Sequence, residues 1–530
     1  MSNQPAMHKK KRHIVRLLTW KWWKRQLFLL HRWLGIILCL LFCAWFVSGI
    51  FMMYVEYPTL SLRERLAGQA TLDFSSSKYS AADAVATLSA KDFQCVATPR
   101  ENQCDAAIDS NAAVEPTKVR LGMMLGRPLY YVNVLGGAQP RAVYADTGEV
   151  LDVVEVPLAQ RHAEDFFRRS RATNKTFTAH YLGRIQADQW TLSSALNGHR
   201  PLLYFAFDDD QHTEFYVSSV TGEVVRDSHR LERALNYFSA VTHWIYPTVL
   251  RKFPDLWAWV VDILATAGVV LSVSGLWMGW LRWKRKPKPG KPAIPYKGIM
   301  RWHYITGVLF GTVTLLWVFS GLLSMNPGQL NPSRSPSSVQ KQQFTGIEQA
   351  LIPEAFPHVT PEFVDTVVEA ELVHFDGRAQ YQIWHRDGVT QRITGDGIAL
   401  SAPDRSRLIE LAGKLLPGQA SEYTVLDRYD SYYFTRHPER GGKPLPVLRV
   451  MYGDADNTWF HINLSNGDLL DKSSSVNRLY RWLYNGLHSW DFIWLWERRP
   501  LWDIVVITLS LGGFSLSVLG VVVGWRRLKF

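Results

Sequence analysis

Residues 27–54 have the sequence LFLLHRWLGIILCLLFCAWFVSGIFMMY, and this stretch decides the fold. With histidine neutral, its only charged side chain is Arg32. A helix of about 20 apolar residues is long enough to cross a hydrocarbon layer of about 30 Å. The stretch is too long for the core of a cleaved signal peptide, and no small-residue cleavage site follows it. It therefore predicts a membrane-spanning helix.

Three more apolar stretches of this kind follow in the chain. Trp and Tyr crowd their ends, which is typical of side chains that anchor a helix at the membrane interface. Buried core helices of a large soluble protein are the alternative interpretation, but the length of all four stretches favours the membrane. We predict a membrane α-helical bundle with four transmembrane helices, at residues 27–55, 256–281, 301–325 and 501–525.

Charge is unevenly distributed over the 530 residues. The chain has 59 Lys+Arg against 47 Asp+Glu, which gives a formal net charge of +12. Three short stretches are strongly basic, at residues 1–26, 282–300 and 526–530, and the rest of the chain has more acidic than basic side chains. A nucleic-acid partner needs a continuous basic face. The sequence therefore predicts no nucleic-acid binding.

The same basic stretches predict the orientation. With four spans, all three fall on one side of the membrane, and cytoplasmic segments carry an excess of Lys and Arg. We therefore expect a cytoplasmic N-terminus (1–26), a cytoplasmic loop (282–300) and a cytoplasmic tail (526–530). The connections 56–255 and 326–500 then lie outside. In a bacterium with two membranes this places the protein in the inner membrane and both connections in the periplasm.

Both long connections have the pattern of β-rich domains. Residues 130–134 alternate in polarity, and a strand-turn-strand pattern follows at 142–150. Similar turns recur at 220–224, 394–397 and 465–469, whereas other segments have a helical composition. We predict an α+β domain in each connection, with two β-rich units in each.

Cysteine usage agrees with an outer location for the first connection. Cys95 and Cys104 lie nine residues apart in polar surroundings there, where an oxidising compartment permits a disulfide. We predict a structural disulfide between them, and a redox-active pair is the alternative. The other two cysteines, Cys39 and Cys43, lie inside the first span.

An internal repeat is the most informative feature of the chain. A shift of 272 residues superimposes His31 on His303 and the first span on the third, and a shift of 245 superimposes His243 on His488 and the second span on the fourth. The pattern indicates a tandem duplication of span, outer domain and span. Such a duplication favours a pseudo-two-fold axis along the membrane normal.

The superimposed histidines predict a cofactor. Two imidazoles that face one another across a bundle ligate one haem iron from both sides in four-helix cytochromes. We therefore expect two haems, one held by His31 and His303 and one by His243 and His488. The alternative is structural, since an interfacial histidine also hydrogen-bonds headgroups or backbone carbonyls. The chain has no Cys-x-x-Cys-His motif, so the haem type implied is b.

Several other residues are candidates at these sites. Gly35 and Gly307 lie one turn after the first histidine pair, where their small size admits a flat macrocycle or close helix packing. Trp45 and Trp317 are candidates for the route between the centres, although such residues are more often packing residues. The candidates for pairing with haem propionates, which otherwise extend to lipid headgroups, are Arg32, Arg301, Arg251 and Lys252.

His243 and His488 lie 14 residues before Trp257 and Trp502, respectively. Prolines in between, such as Pro254 and Pro500, argue against one continuous helix. We therefore expect His243 and His488 on interfacial segments that fold over the bundle.

No Gly-rich dinucleotide or phosphate-binding fingerprint is present in the sequence. The electrons are therefore expected to come from a quinol in the bilayer or from a cytoplasmic reductase.

Five short motifs extend over nearly the whole chain: HRWLG at 31–35 with SG at 48–49, DTGEV at 146–150, SVSG at 272–275 with GW at 279–280, LPVLRV at 445–450, and YRWLYNGLH at 480–488. In these motifs the chain resembles the PepSY-associated transmembrane family. The resemblance implies an inner-membrane protein with PepSY domains outside. For characterised relatives it also implies haem-containing reduction of ferric siderophores, whereas other members have no assigned reaction.

Three functional hypotheses follow. The first is a di-haem transmembrane reductase that delivers electrons outward to a ferric siderophore. The candidates to bind such a chelate, which otherwise are residues that pack a sheet, are Tyr429, Tyr432, Tyr433 and Arg436. The second is an electron carrier for another periplasmic oxidant, such as copper or a redox partner. The third is a non-enzymatic protein whose outer domains bind a protease or another partner. Residues 208–212, which contain three aspartates and a histidine, are more typical of a solvated hairpin turn than of a metal site.

Overall fold

The fold is known from a computed structural model. It describes residues 20–89, 92–93, 116–134, 139–283, 294–347, 366–436 and 442–529. Cys95 and Cys104 lie outside the described residues, so their disulfide stays a prediction.

Four helices are long and apolar enough to cross a membrane. They agree with the predicted spans to within a few residues, except that the first begins at Trp20 rather than at residue 27. The helices are α1 (Trp20–Met52), α2 (Pro254–Arg282), α3 (Gly298–Ser324) and α4 (Leu501–Leu528). The expectation of a membrane helical protein is confirmed.

The four long helices form a ring in which each packs against two others. Helix α1 packs against α2 and α4, and α3 packs against the same two helices, so α1 and α3 occupy opposite corners. Small residues permit the close approach, as is common between membrane helices. A Cβ atom on Gly512 would lie 2.2 Å from the ring of Phe310, and one on Gly513 would lie 2.2 Å from the ring of Phe46.

Fourteen strands in three antiparallel sheets lie in the described parts of the two long connections. The first connection contains β1 (Pro116–Met124), β2 (Arg127–Val134), β3 (Arg141–Tyr144), β4 (Ala179–Ile185), β5 (Leu202–Phe207), β6 (Glu214–Ser218) and β7 (Val224–Ser228). The second contains β8 (Val367–Phe375), β9 (Arg378–His385), β10 (Thr390–Ile393), β11 (Ser421–Leu426), β12 (Val447–Tyr452), β13 (Trp459–Asn463) and β14 (Leu469–Ser473).

Short helices accompany the strands, which gives the α+β composition that the sequence predicts. In the first connection they are Leu62–Gly68, Ala81–Thr87, Val156–Ser170, Arg230–Phe238, Ala240–His243 and Thr248–Arg251. In the second they are Ser338–Thr345, Arg405–Gly413, Ser475–Arg481, Leu487–Ser489 and Ile493–Trp496, with a π-helical turn at Trp482–Gly486.

The two connections share one sheet. Its six strands have the order β10-β9-β8-β1-β2-β3, so β1 of the first connection pairs with β8 of the second. The pairing is antiparallel and places Leu121 opposite Ala370. Strands β4–β7 and β11–β14 form one further sheet in each connection. The sequence predicts two separate outer domains, whereas in the structure the shared sheet joins them.

A buried ion cluster lies where the two connections meet. The carboxylate of Glu369 on β8 is 1% exposed and pairs with Arg120 on β1 and with Arg65. The Arg120 Nη1 atom lies 2.7 Å from Glu369 Oε2. Burial alone would raise the pKa of Glu369, but the two arginines outweigh burial and lower that pKa to about 2. Arg120 also pairs with Glu223 of the first connection, so Glu369 is the member of the cluster that ties the second connection to the first.

Replacement of Glu369 tests this junction. Glu369→Gln leaves Arg65 without this carboxylate and leaves Arg120 with Glu223 as its counter-charge, and we expect a loss of about 1–3 kcal/mol of stability. The loss will appear as faster hydrogen exchange of the β1 and β8 amides. Folding lowers the pKa of Glu369, so its contribution to the free energy of unfolding of the wild-type protein is fully present above about pH 4.3. This contribution is lost as the pH falls toward 2.

Glu371→Gln is the matched control on the same strand. Glu371 pairs with Lys118 across the same strand pair, but that pair is far more exposed. A more exposed ion pair contributes at most about 1 kcal/mol. Equal protection of β1 and β8 in the two variants would contradict the role assigned to Glu369.

Candidate functional site

Two pairs of histidines face one another in the bundle. His31 on α1 and His303 on α3 have ring centroids 6.5 Å apart, and we call them the basic-side pair. Because α1 and α3 occupy opposite corners, this pair spans the centre of the ring of helices. His243 and His488 have ring centroids 6.0 Å apart at the other end of the bundle, and we call them the sheet-side pair. The structure thus brings the two members of each predicted pair together, and the two pairs lie at opposite ends of the bundle.

The Nδ1 atoms of the basic-side pair point to the neighbouring helices. His31 Nδ1 lies 3.2 Å from the Leu271 carbonyl and 3.1 Å from Ser274 Oγ, both on α2. His303 Nδ1 is buried and has no hydrogen bond of ordinary geometry among the described residues. The group nearest to the same role is the Leu516 carbonyl, and Leu516 corresponds to Leu271 under the shift of 245 residues. A carbonyl at Nδ1 favours the tautomer that carries its proton there. The Nε2 lone pair is then available as a ligand.

A cavity of about 690 Å³ surrounds the basic-side pair. Its walls contain the predicted Gly35 and Gly307 together with five more glycines from three helices: Gly275, Gly279, Gly311, Gly520 and Gly524. A Cβ atom on Gly275 would lie 2.7 Å from His31 Cε1, so this glycine makes room for the ring itself. The volume lies in the range of about 300–1,000 Å³ that is usual for small-molecule and cofactor sites.

Four arginines line this cavity at its basic end: Arg25, Arg32, Arg282 and Arg527. Only Arg32 was a sequence candidate, and Arg301 is not among the lining residues. In the described part of the chain no carboxylate pairs with any of the four. The cavity therefore combines an apolar interior with an unneutralised cationic rim.

The sheet-side pair is held by the ends of α1 and α3. His243 Nδ1 lies 3.0 Å from Ser48 Oγ, and His488 Nδ1 lies 3.1 Å from Ser320 Oγ. The two serines superimpose under the 272-residue shift. Each is followed by a glycine that faces the ring, since a Cβ atom on Gly49 would lie 3.4 Å from His243 Cε1. Equivalent residues thus make equivalent contacts in the two halves.

Burial keeps the sheet-side rings neutral. Burial and the facing His488 lower the pKa of His243 to about 3, and burial lowers the pKa of His488 to about 4. A neutral imidazole is the form that ligates a metal.

The segments that carry the sheet-side pair turn sharply, as the prolines predict. Ile245 and Trp490, two residues after each histidine, have left-handed φ values of 52° and 53°. The Trp257 Nε1 atom donates to the Trp244 carbonyl at 3.0 Å, and Trp502 Nε1 donates to the Ser489 carbonyl at 3.1 Å. An indole at the start of each following helix therefore holds the histidine segment over the bundle.

An aromatic layer separates the two pairs. Ser48 follows His31 by 17 positions on α1, which corresponds to about 25 Å along the helix axis. The layer between them contains Phe42 and Phe46 with the candidates Trp45 and Trp317. The Nε1 atoms of both tryptophans are buried and have no hydrogen-bond partner.

The aromatic candidates of the second connection pack internally. Tyr433 is fully buried and its hydroxyl donates to the Pro444 carbonyl at 2.9 Å. Tyr429 donates to the Lys443 carbonyl, and the Tyr432 hydroxyl accepts from Trp482 Nε1. The three tyrosines lie between β11 and β12 and not on a strand, which differs from the expectation that they pack a sheet.

Two other candidates lie apart from the histidine pairs. The Arg251 guanidinium lies over the rings of Tyr246 and Trp257. Residues 208–212 form the hairpin turn between β5 and β6, in which Asp209 accepts hydrogen bonds from Thr213.

The spacing of both pairs suits a shared metal. An imidazole nitrogen lies about 2 Å from a metal that it ligates, so two coaxial imidazoles on one metal have ring centroids about 6.2 Å apart. The observed 6.5 Å and 6.0 Å lie on either side of that value. Among the described residues no group of three or more His, Cys, Asp or Glu side chains is placed to hold a metal ion. Among the described residues, each site thus consists of two facing imidazoles.

A family model described as the PepSY-associated TM region matches residues 28–527, which is almost the whole chain. No curated protein matches the sequence.

Removal of one indole N–H tests how the sheet-side segments are held. Trp502→Phe removes the hydrogen bond to the Ser489 carbonyl, which is worth about 1 kcal/mol. We expect hydrogen exchange of the amides at 487–492 to become about fivefold faster. Trp494→Phe is the control, because the Trp494 side chain is exposed. Unchanged exchange in Trp502→Phe would show that this bond does not hold the segment.

Proposed function

The chain belongs to the PepSY-associated TM region family, and on that premise we propose that it is a membrane electron-transfer protein with two haem b groups. The proposed acceptor is a periplasmic ferric siderophore. One observation carries the proposal: two opposed imidazole pairs lie at opposite ends of one membrane bundle, at the spacing of a shared metal.

The residues present fit a haem at the basic-side pair. The cavity is mainly apolar and contains seven glycines, which leave room for a flat macrocycle. Its four arginines, which pair with no carboxylate among the described residues, would bind the two propionate groups. His31 and His303 would hold the haem iron. Ser274 and the Leu271 carbonyl fix the orientation of His31, and such outer contacts set both the orientation and the basicity of a ligating imidazole.

At the sheet side, the support for a second haem is the facing imidazole pair. His243 and His488 would hold its iron, and Ser48 and Ser320 fix their Nδ1 atoms. A haem supplies a one-electron carrier when it is bound between two histidines. The chain's own contribution is to orient the four imidazoles, to exclude water with the aromatic layer, and to keep both sites in one apolar bundle.

The orientation and the duplication are parts of the same proposal. The basic stretches support a cytoplasmic location for both termini and for the basic-side pair. The sheets would then lie in the periplasm of a bacterial cell, above the inner membrane. The recurrence of the serine, histidine and tryptophan contacts under shifts of 272 and 245 residues supports a tandem duplication.

The proposed chemistry needs one electron for each iron. A siderophore holds Fe(III) through hard oxygen donors, and Fe(II) is bound far less tightly by such ligands. One electron therefore converts the ferric chelate into Fe(II) and the free chelator. The electron would enter on the cytoplasmic side from a quinol or a reductase and leave beside the sheets.

Haem stoichiometry tests the cofactor proposal. We expect two haems b per chain in a pyridine haemochrome assay of protein that is expressed with ample porphyrin. His31→Ala or His303→Ala will remove one haem, and His243→Ala or His488→Ala will remove the other, because each haem needs both axial nitrogens.

His180→Ala is the matched control, since His180 lies on β4 and is half exposed. It will retain two haems and an unchanged spectrum. Colourless wild-type protein would refute the haem proposal, and a single haem that survives loss of His243 and His488 would refute the sheet-side assignment.

The acceptor has its own test. In haem-loaded, reduced protein we expect a ferric siderophore to oxidise both haems faster than free copper or buffer does. His488→Ala will slow this oxidation, because electrons would leave through the sheet-side pair. If copper oxidises the haems faster than the ferric siderophore does, the acceptor is another periplasmic oxidant. The proposal of electron transfer is then unchanged.

A further inference from the structure

Each connection contains a short helix just before its sheet-side histidine. The two helices are Arg230–Phe238 and Ser475–Arg481, and we call them the flanking helices. A shift of 245 residues superimposes one on the other, and each follows the last strand of its own four-stranded sheet. The structure therefore contains the same helix twice, once in each half.

One face of each flanking helix binds its sheet. Arg233 Nη1 donates to the Ser228 carbonyl at 3.1 Å, and Arg478 Nη1 donates to the Ser473 carbonyl at 2.9 Å. The Nη2 atom of each arginine donates to a carbonyl in the turn before β6 or β13. These contacts are equivalent in the two halves, so they fix which face of each helix is turned toward the sheet.

The opposite face of the first flanking helix is apolar and exposed. Leu231, Ala234 and Phe238 are all exposed, and Leu231 and Phe238 have exposed fractions of 70% and 62%. Their spacing of i, i+3 and i+7 places them on one side of the helix, away from Arg233. We call this side the apolar stripe.

The second flanking helix has an apolar stripe at the same positions. Val476 and Leu479 correspond to Leu231 and Ala234, and both are exposed. The third position is Leu483, in the π-helical turn that follows the helix. Contiguous apolar surface of this kind marks an interaction site. The duplicated stripes therefore indicate a partner that both halves contact.

Both flanking helices lie at the ends of membrane-spanning helices. The Phe238 ring lies 6.1 Å from the ring of Phe51, which is next to the last residue of α1. The Tyr480 hydroxyl donates to the Leu323 carbonyl in the last turn of α3. The apolar stripes thus lie near the level at which the spans leave the hydrocarbon layer.

Exposed apolar side chains also continue from the spans to this level. Leu256, Phe253 and Val249 lead from the start of α2 back toward the histidine segment, and all three are exposed. Trp494 corresponds to Val249 in the second half and is exposed as well. The surface that α2 presents to lipid therefore does not stop where the span begins.

We infer that both flanking helices lie in the headgroup region of the leaflet on the sheet side, with their apolar stripes against the acyl chains. An amphipathic helix binds a bilayer in this way, with its apolar face buried by about 5–10 Å. The partner is the lipid surface, because the stripes continue the surface that the spans present to it. This inference depends on the four spans and not on the proposed haems.

The inferred contact places the sheet-side pair relative to the bilayer. His243 and His488 follow Phe238 and Leu483 by five residues each. Lipid that covers the two apolar stripes would therefore hold both histidine segments at the boundary of the hydrocarbon layer.

Labelling from the lipid tests the inference. Full-length protein without porphyrin is placed in nanodiscs that hold one copy each, with a phosphatidylcholine that carries a diazirine at the start of an acyl chain. After illumination, mass spectrometry locates the labelled residues. We expect labelling at Leu231 and Leu479. One copy per disc excludes a second copy of the chain as the cover of the stripes.

Val389 is the matched control within the chain. It is 58% exposed, as is Leu479, but it lies in the β9–β10 hairpin of the shared sheet. We expect no labelling there. Labelling of Leu231 and Leu479 that does not exceed that of Val389 would overturn the inference, because the stripes would then face water or a soluble partner.

A charged side chain in one stripe provides a second test. Burial of a leucine side chain favours the apolar phase about tenfold or more, so Leu479→Glu will lower labelling of the second flanking helix by about that factor. Leu231 will remain labelled, and Val389→Glu will change neither helix. Because Leu479 is exposed, the variant will melt like the wild type in detergent. Unchanged labelling of the second helix in Leu479→Glu would also overturn the inference.

Discussion

Three of the four imidazoles are hydrogen-bonded at Nδ1 to an element other than their own, and the rest of the arrangement depends on this constraint. His31 on α1 is held by α2, and the two sheet-side histidines are held by the ends of α1 and α3. A shift of one helix along its neighbour therefore moves a ring or breaks a hydrogen bond. The spacing of the rings is consequently set by the packing of the helices, which close-packed glycines make rigid.

The sheet-side pair needs more support than the basic-side pair, because its histidines do not lie on the long helices. They lie on short segments that follow β7 and β14, and those strands belong to different four-stranded sheets. The six-stranded sheet that the two connections share provides this support. Pairing of β1 with β8, secured by the buried Glu369 cluster, fixes the two connections relative to each other. The two histidine segments thereby approach the bundle from a single unit rather than from two independent domains.

Sequence alone predicts the parts of this structure that depend on local composition or on exact repetition. Span length and apolarity identify the four long helices, and the two shifts identify the four histidines. The pairing of β1 with β8 has no such signal, because an alternating strand does not specify a partner about 250 residues away. The cavity arginines are a similar case: Arg25, Arg282 and Arg527 lie in stretches with many basic residues, and only packing selects the ones that line the cavity.

The distribution of charge bears on the direction of electron flow in the proposed carrier. Among the described residues, the lining of the basic-side cavity contains four arginines and neither Asp nor Glu. A nearby cation favours the reduced form of a one-electron carrier, and it does so more strongly in an apolar interior than in water. In the proposed carrier these arginines would therefore oppose release of the electron toward the sheets. The drive for outward transfer would then have to come from the donor and the acceptor.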